Sequence, residues 1–267
     1  MKRNTNYFGK PLLAALFLLT TCFTFAQSSD STDIFNHFSG AISITNKGIS
    51  TVPSFTLGKP AAELDLWVGK GNLRFEPIIR ISMEGKPWSL IFWWRYKFVE
   101  NENFRFRVGA HPALLFKTVT AETNGVSQEI IRTYRYLATD LAPTFFLTRN
   151  ISVGPYYLYS RSLEKDVARN THYISMVGSF SNIKLFEDVA FGITPQVYYL
   201  RLDQRDGLYA TSAFSLTKKD SPFSIAAIIN KKIDSQIAGE DFLWNVSLVY
   251  SFNKKYVASE MSFINKD

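Results

Sequence analysis

Cysteine is almost absent from this chain: its 267 residues contain one, Cys22. Histidine is nearly as rare, at His37, His111 and His172. Three scattered imidazoles and one thiol leave too few ligands for a transition-metal site, which needs several converging His or Cys side chains. No metal and no cofactor is therefore expected. None of the histidines has a serine and an Asn or Asp partner at fixed strand spacing, so no catalytic residue is assigned and the chain is not read as an enzyme. No Gly-rich loop opens a helix, which removes the usual phosphate cradle. Beyond the N-terminal leader there is no run of about 20 apolar residues, and so no transmembrane helix. Linkers, low-complexity blocks and long repeats are missing too, and nothing divides the mature chain.

The leader itself is well formed. Lys2, Arg3 and Lys10 precede the apolar stretch "PLLAALFLLTTCF", and "TFAQ" offers Thr24 and Ala26 at the −3 and −1 positions of a cleavage site. This layout predicts a secretory signal peptide over 1–26. The rival is a lipoprotein signal at "LTTC" with Cys22 acylated, for which Thr21 is a poor preceding residue. Cleavage after Ala26 removes the cysteine, leaving an exported chain with no disulfide.

What the sequence does have is aromatic residues, 15% of the chain, with a net charge of +7 and a mean hydropathy of only −0.05. They alternate with polar residues. In "PWSLIFWWRYKF", Trp88, Leu90, Phe92, Trp94, Tyr96 and Phe98 share one face, opposite Ser89, Ile91, Trp93, Arg95 and Lys97. "LRFEPIIRISM", "FRFRVGAHPALLFK", "ISVGPYYLYS" and "FLWNVSLVYSF" repeat the pattern. Successive strand side chains point to opposite sides, so these are two-faced strands. About twelve segments of roughly 9–12 residues fit, the length a tilted strand needs to cross a bilayer. They fall near 37–46, 61–69, 73–83, 87–98, 104–117, 129–147, 151–161, 171–181, 189–202, 208–217, 223–233 and 242–252. "GKGN", "VENEN", "TRN" and "TKKDSP" read as short turns at one end, with "NIKLFED" a longer exception. "TVTAETNGVSQ", "SLEKDVARN" and "DSQIAGED" read as longer loops at the other. Pro77, Pro112, Pro143, Pro155 and Pro195 fall inside these segments and count against them, because proline cannot donate to a ladder.

This architecture resembles the transmembrane β-barrels of Gram-negative outer membranes over nearly the whole mature chain. The expected fold is an all-β, antiparallel, up-and-down barrel of about twelve strands over 27–252, with 253–267 a periplasmic tail or a strand extension. "FLWNVSLVYSF", ending at Phe252, is similar to the closing-strand signal of such barrels, which implies recognition by the barrel-assembly machinery. The resemblance places the chain in the outer membrane, against outer-membrane lipid and lipopolysaccharide. Trp88, Tyr96, Phe98, Tyr157, Tyr159, Trp244 and Tyr250 lie towards strand ends and are the expected membrane-interface aromatics.

With the apolar faces outward, the opposite faces line a lumen. Arg74, Arg80, Arg95, Lys97, Arg105, Arg107, Lys117 and Arg132 then form a basic wall, with Glu63, Asp65, Glu76 and Asp140 as its acidic partners. The later strands offer a neutral, hydroxyl-rich wall that includes Tyr156, Ser175, Gln196, Tyr198, Tyr209, Asn230 and Asn245. A basic track suits a narrow, porin-like channel for small acidic solutes. The alternative is a closed structural or accessory barrel whose lumen is filled by a salt-bridge lattice. A lipid hydrolase, known among twelve-stranded barrels, is the third reading. The positive charge lies partly in the lumen and is not read as a nucleic-acid footprint.

Overall fold

In the computed structural model, which describes residues 37–123 and 126–254, twelve antiparallel strands close into one barrel. They are β1 His37–Thr45, β2 Ala61–Lys70, β3 Leu73–Ser82, β4 Pro87–Glu100, β5 Phe104–Thr123 and β6 Val126–Phe146. β7 Ile151–Ser162, β8 Asn170–Phe186, β9 Val189–Leu202, β10 Arg205–Lys218, β11 Phe223–Ser235 and β12 Phe242–Lys254 complete it. Each strand pairs with its sequence neighbours, and β12 returns to β1 through Phe38↔Lys254 to Thr45↔Ser247, so no edge is left open. The first and last described residues therefore share one rim. The leader over 1–26 and most of the tail lie outside the described residues.

The alternation sorts the side chains as a membrane barrel requires. Ile42, Ile44, Ile79, Ile81, Trp94, Leu137, Leu141, Ile174, Met176, Trp244, Val246 and Leu248 stand exposed on the outer wall. A water-soluble surface rarely carries a continuous apolar belt of this kind, whereas a lipid-facing one must. Phe252, on the closing strand, lies opposite Gly40, and its ring covers the space a Cβ there would need. Phe38 and Tyr250 flank it at 5.9 and 6.5 Å.

Two connections differ from the sequence expectation. "NIKLFED" is not a long turn: β8 continues to Phe186, leaving only Glu187 and Asp188 between strands. "TVTAETNGVSQ" is mostly strand, because β5 and β6 keep pairing from Phe104↔Phe145 out to Thr123↔Val126. Alternating Thr, Val and Ile there sustain the ladder well past the neighbouring strands.

All five prolines stay in strands. Each keeps its pairing on one side and sits at a break on the other: Pro77 facing β2, Pro112 facing β4, Pro195 facing β8, and Pro143 with Pro155 in one gap between β6 and β7. A missing N–H interrupts one ladder while the second neighbour holds the strand in place. Gly154 lies in the β6–β7 gap, where a Cβ would collide with the Pro143 carbonyl.

Candidate lumenal site

The segment between β1 and β2 decides what the lumen is. Residues 46–60 turn back into the barrel mouth, and the side chains that fill it, Val52, Phe55 and Leu57, lie on or beside a single 3-10 turn, Pro53–Phe55. Val52 packs with Tyr173, Tyr198, Leu200, Leu202, Tyr209 and Ile237 on one side. Phe55 and Leu57 pack against Trp88, Leu115, Tyr134 and Tyr136 on the other. Polar contacts fix the backbone of this plug. Trp88 Nε1 donates to the Phe55 carbonyl at 2.8 Å, and the Tyr198 hydroxyl donates to the Thr51 carbonyl at 3.0 Å. Asn245 Nδ2 reaches the Lys47 carbonyl at 3.0 Å.

Trp88 is thus a correction: it is not an interface aromatic but is buried, 3% exposed, inside the mouth. The register between β3 and β4 shifts where Arg80↔Ser89 gives way to Ile81↔Pro87. That irregularity breaks the alternation, so Trp88 and Ser89 are both buried. Tyr96, Phe98, Trp244 and Tyr250 are exposed on the outer wall. Tyr157 and Tyr159 are half-buried there, bonded to His172 Nδ1 at 2.9 Å and Asn170 Oδ1 at 2.8 Å.

The neutral wall grips the plug through stacked tyrosines. Tyr173 lies 4.8 Å from Tyr198, which lies 4.9 Å from Tyr209. Their hydroxyls are occupied: Tyr173 accepts from Gln196, Tyr198 bonds with Asn230, and Tyr209 bonds with Ser235.

Facing them, the charged residues form pairs. Arg80 holds Glu63 in a fork, at 2.5 and 3.2 Å, and its guanidinium lies 5.1 Å from the Trp88 ring. Arg95 bridges Glu76 at 3.0 Å and Asp140 at 3.2 Å while lying 4.0 Å over Trp93, whose other neighbour is His111 at 4.0 Å. Asp140 also accepts from the Tyr156 hydroxyl at 3.0 Å. Around Gly109 there is no space left, since a Cβ there would meet Asp140, Trp93 and Arg95.

The acids identified from the strands are only part of the partner set. Lys97 and Arg105 both pair with Glu100, at the turn rim, and Arg132 pairs with Asp166, from the β7–β8 loop, at 2.7 Å. Neither Glu100 nor Asp166 stands out in the sequence: Glu100 is the last residue of β4, within a segment that reads as a turn, and Asp166 lies in a loop, where there is no face parity. Arg74, Arg107, Lys117 and Asp65 form no ion pair among the described residues. At the loop rim, slight burial of Asp203 is outweighed by the amides of Asn170 and Arg169, which hold its carboxyl below the usual range.

No family model and no curated protein matches the chain. Solved structures do resemble it. An outer-membrane channel from Pseudomonas putida F1 is 11% identical, with 85% of this chain and 100% of that one covered, at a TM-score of 0.49. LpxR from Salmonella typhimurium is 11% identical over 80% and 99%, at 0.48. The NanC porin is 15% identical over 82% and 100%, at 0.45. All three TM-scores lie below 0.5, so the closed twelve-strand barrel is read from the chain's own ladders and apolar outer wall, and what it does from its own residues.

Proposed function

We propose that this chain is an outer-membrane barrel held closed by its own first loop, with a salt-bridged lumen and no standing solute current. The observation that carries this reading is the plug: Val52, Phe55 and Leu57 pack on two aromatic walls of the mouth, and the Thr51 and Phe55 carbonyls accept from Tyr198 and Trp88 on those walls. Val52 is buried and Phe55 and Leu57 are half-buried, so each contributes at most about 2 kcal/mol, set against the cost of ordering the loop. The ionic layer beneath supports the same reading, because most of its cations are neutralised in place and a closed lumen needs filled volume and paired charge. No catalytic role is proposed. Export through the 1–26 leader, insertion by the barrel-assembly machinery and residence among outer-membrane lipid and lipopolysaccharide belong to the same proposal.

A narrow anion-favouring channel for small acidic solutes is the second reading. It is favoured by Arg74, Arg107 and Lys117, which have no acidic partner among the described residues. Planar-bilayer recording of the refolded mature protein separates the two. Silence from the intact barrel is expected, with steady anion-selective steps once residues 49–57 are replaced by a short Gly-Ser linker. Steady steps from the intact protein would overturn the closed reading and establish the channel.

A further inference from the structure

The outer wall carries a feature that the lumen does not explain. Two arginines, Arg161 on β7 and Arg201 on β9, stand exposed on the lipid-facing side, near the loop rim. Neither forms an ion pair among the described residues. Arg201 donates only to the Asp203 carbonyl, at 2.9 Å. Between them on β8 sits His172, the cross-strand neighbour of both Tyr159 and Arg201. In register Arg161 faces Asn170 while Arg201 faces His172, so the two guanidinium-bearing positions lie two strands and two residues apart, about 12 Å, with the imidazole beside Arg201 and diagonal to Arg161. The nearby acids are engaged elsewhere. Asp206, opposite Arg201 in register, accepts from the Tyr199 hydroxyl at 2.7 Å, and Asp203 accepts from the Arg169 and Asn170 amides at 2.8 Å. Glu164 is paired with Arg135 at 2.8 Å.

Directly beside Arg161 the wall is hollowed. Trp94, Ala110, Pro112, Leu137, Thr139 and Tyr159 line an open groove of about 410 Å³. The lining is almost wholly apolar, with Arg161 at one end. An unpaired arginine is costly on a lipid-facing wall unless it meets an anion at the headgroup level, and guanidinium groups bind phosphate in a two-pronged fork.

We propose that this wall binds a phosphate-bearing acyl lipid, with one acyl chain in the groove and the phosphate shared by Arg161, His172 and Arg201. The site is independent of whether the lumen is open. Tyr157 and Tyr159 hold the imidazole by a hydrogen bond and a ring contact, at 2.9 and 5.2 Å respectively, so the ring is fixed before the lipid arrives. Pairing of charge and shape distinguishes this lipid from the annular ones that cover the rest of the belt.

Native mass spectrometry of the mature protein, released from nanodiscs containing dioleoyl phosphatidic acid and dioleoyl phosphatidylcholine, tests the site. One phosphatidic acid is expected to stay bound per barrel after phosphatidylcholine is lost. R161Q/R201Q should cut that retention about tenfold, since two charge-assisted contacts disappear. Ala110→Trp, which fills the groove, should cut it as well. All three positions face outward, and heat-modifiable gel mobility reports that each variant is a folded barrel. If the double variant does not fold, R161Q alone and wild-type selectivity between the two lipids carry the test. Equal retention of both lipids, unchanged retention in the arginine variants, or displacement of the lipid by inorganic phosphate would each overturn the proposal.

Discussion

At the scale of single residues, Asp140 shows how charge is tolerated inside the wall. Its side chain is 1% exposed, yet it meets Arg95 at 3.2 Å and the Tyr156 hydroxyl at 3.0 Å. Removing one member of a buried pair strands the other, which typically costs about 3–5 kcal/mol. Arg95 keeps Glu76, so Asp140→Ala is expected to lower unfolding stability by about 3 kcal/mol, at the lower end of that range. Urea titration of barrels folded into lipid vesicles measures this. The control is Glu164→Ala on the exposed Arg135 pair, where water already screens the charges and the loss should be much the smaller of the two. Equal losses at the two sites would mean that the interior ionic layer behaves as open solvent. Parity in the sequence put Arg80 and Arg95 on one wall with Glu63, Glu76 and Asp140, but which of them pair is set by the register. Parity does not reach the partners of Lys97, Arg105 or Arg132, since Glu100 and Asp166 come from a strand end and a loop.

At the scale of elements, the strands were legible because alternation is a local signal repeated twelve times. Strand ends were less so: β5 and β6 run on through residues that read as a polar loop. Prolines, which argued against the strands, turn out to interrupt only one of each strand's two ladders. The β6–β7 seam, with Pro143 and Pro155 in the same gap, is the place where this matters most. Gly154 there lies against the Pro143 carbonyl, whereas Gly178 has only ordinary contacts, the nearest at 3.5 Å. Gly154→Val is therefore expected to lower the unfolding stability measured by urea titration by several kcal/mol or to prevent folding, and Gly178→Ala to change it by less than about 1 kcal/mol. The segment 46–60 was the element least visible in advance. Its apolar Val52, Phe55 and Leu57 lie in a connection, where no periodicity exists to reveal them, and their partners are scattered from Trp88 to Ile237. Trp88 was misassigned for the related reason that a register shift reverses its side, and a sequence pattern carries no mark of such a shift.

At the scale of the whole molecule, the barrel and its plug are held by different forces. The wall is a closed set of backbone ladders that lipid cannot compete for. The plug is held by aromatic packing and a handful of hydrogen bonds at the wet end, so it belongs to the less stable part of the structure. Hydrogen exchange on the folded protein should resolve two tiers. The Phe55 and Leu57 amides, bonded to Val52 and Gly48 at 2.8 and 3.0 Å, are expected to exchange at least tenfold faster than ladder amides such as that of Ile42. Exchange of both groups at one common rate would mean that plug and wall open together.

The hydrogen bond from Tyr198 to the Thr51 carbonyl spans 147 residues of chain. The plug is attached to the first hairpin, while Tyr198, Tyr209 and Ile237, which grip it, arrive on the last third of the chain. Contacts that distant in sequence wait for the intervening chain to be ordered. The plug can pack on Trp88 and Tyr136 early, but its seat against Tyr198, Tyr209 and Ile237 is completed only after the later strands have joined the wall.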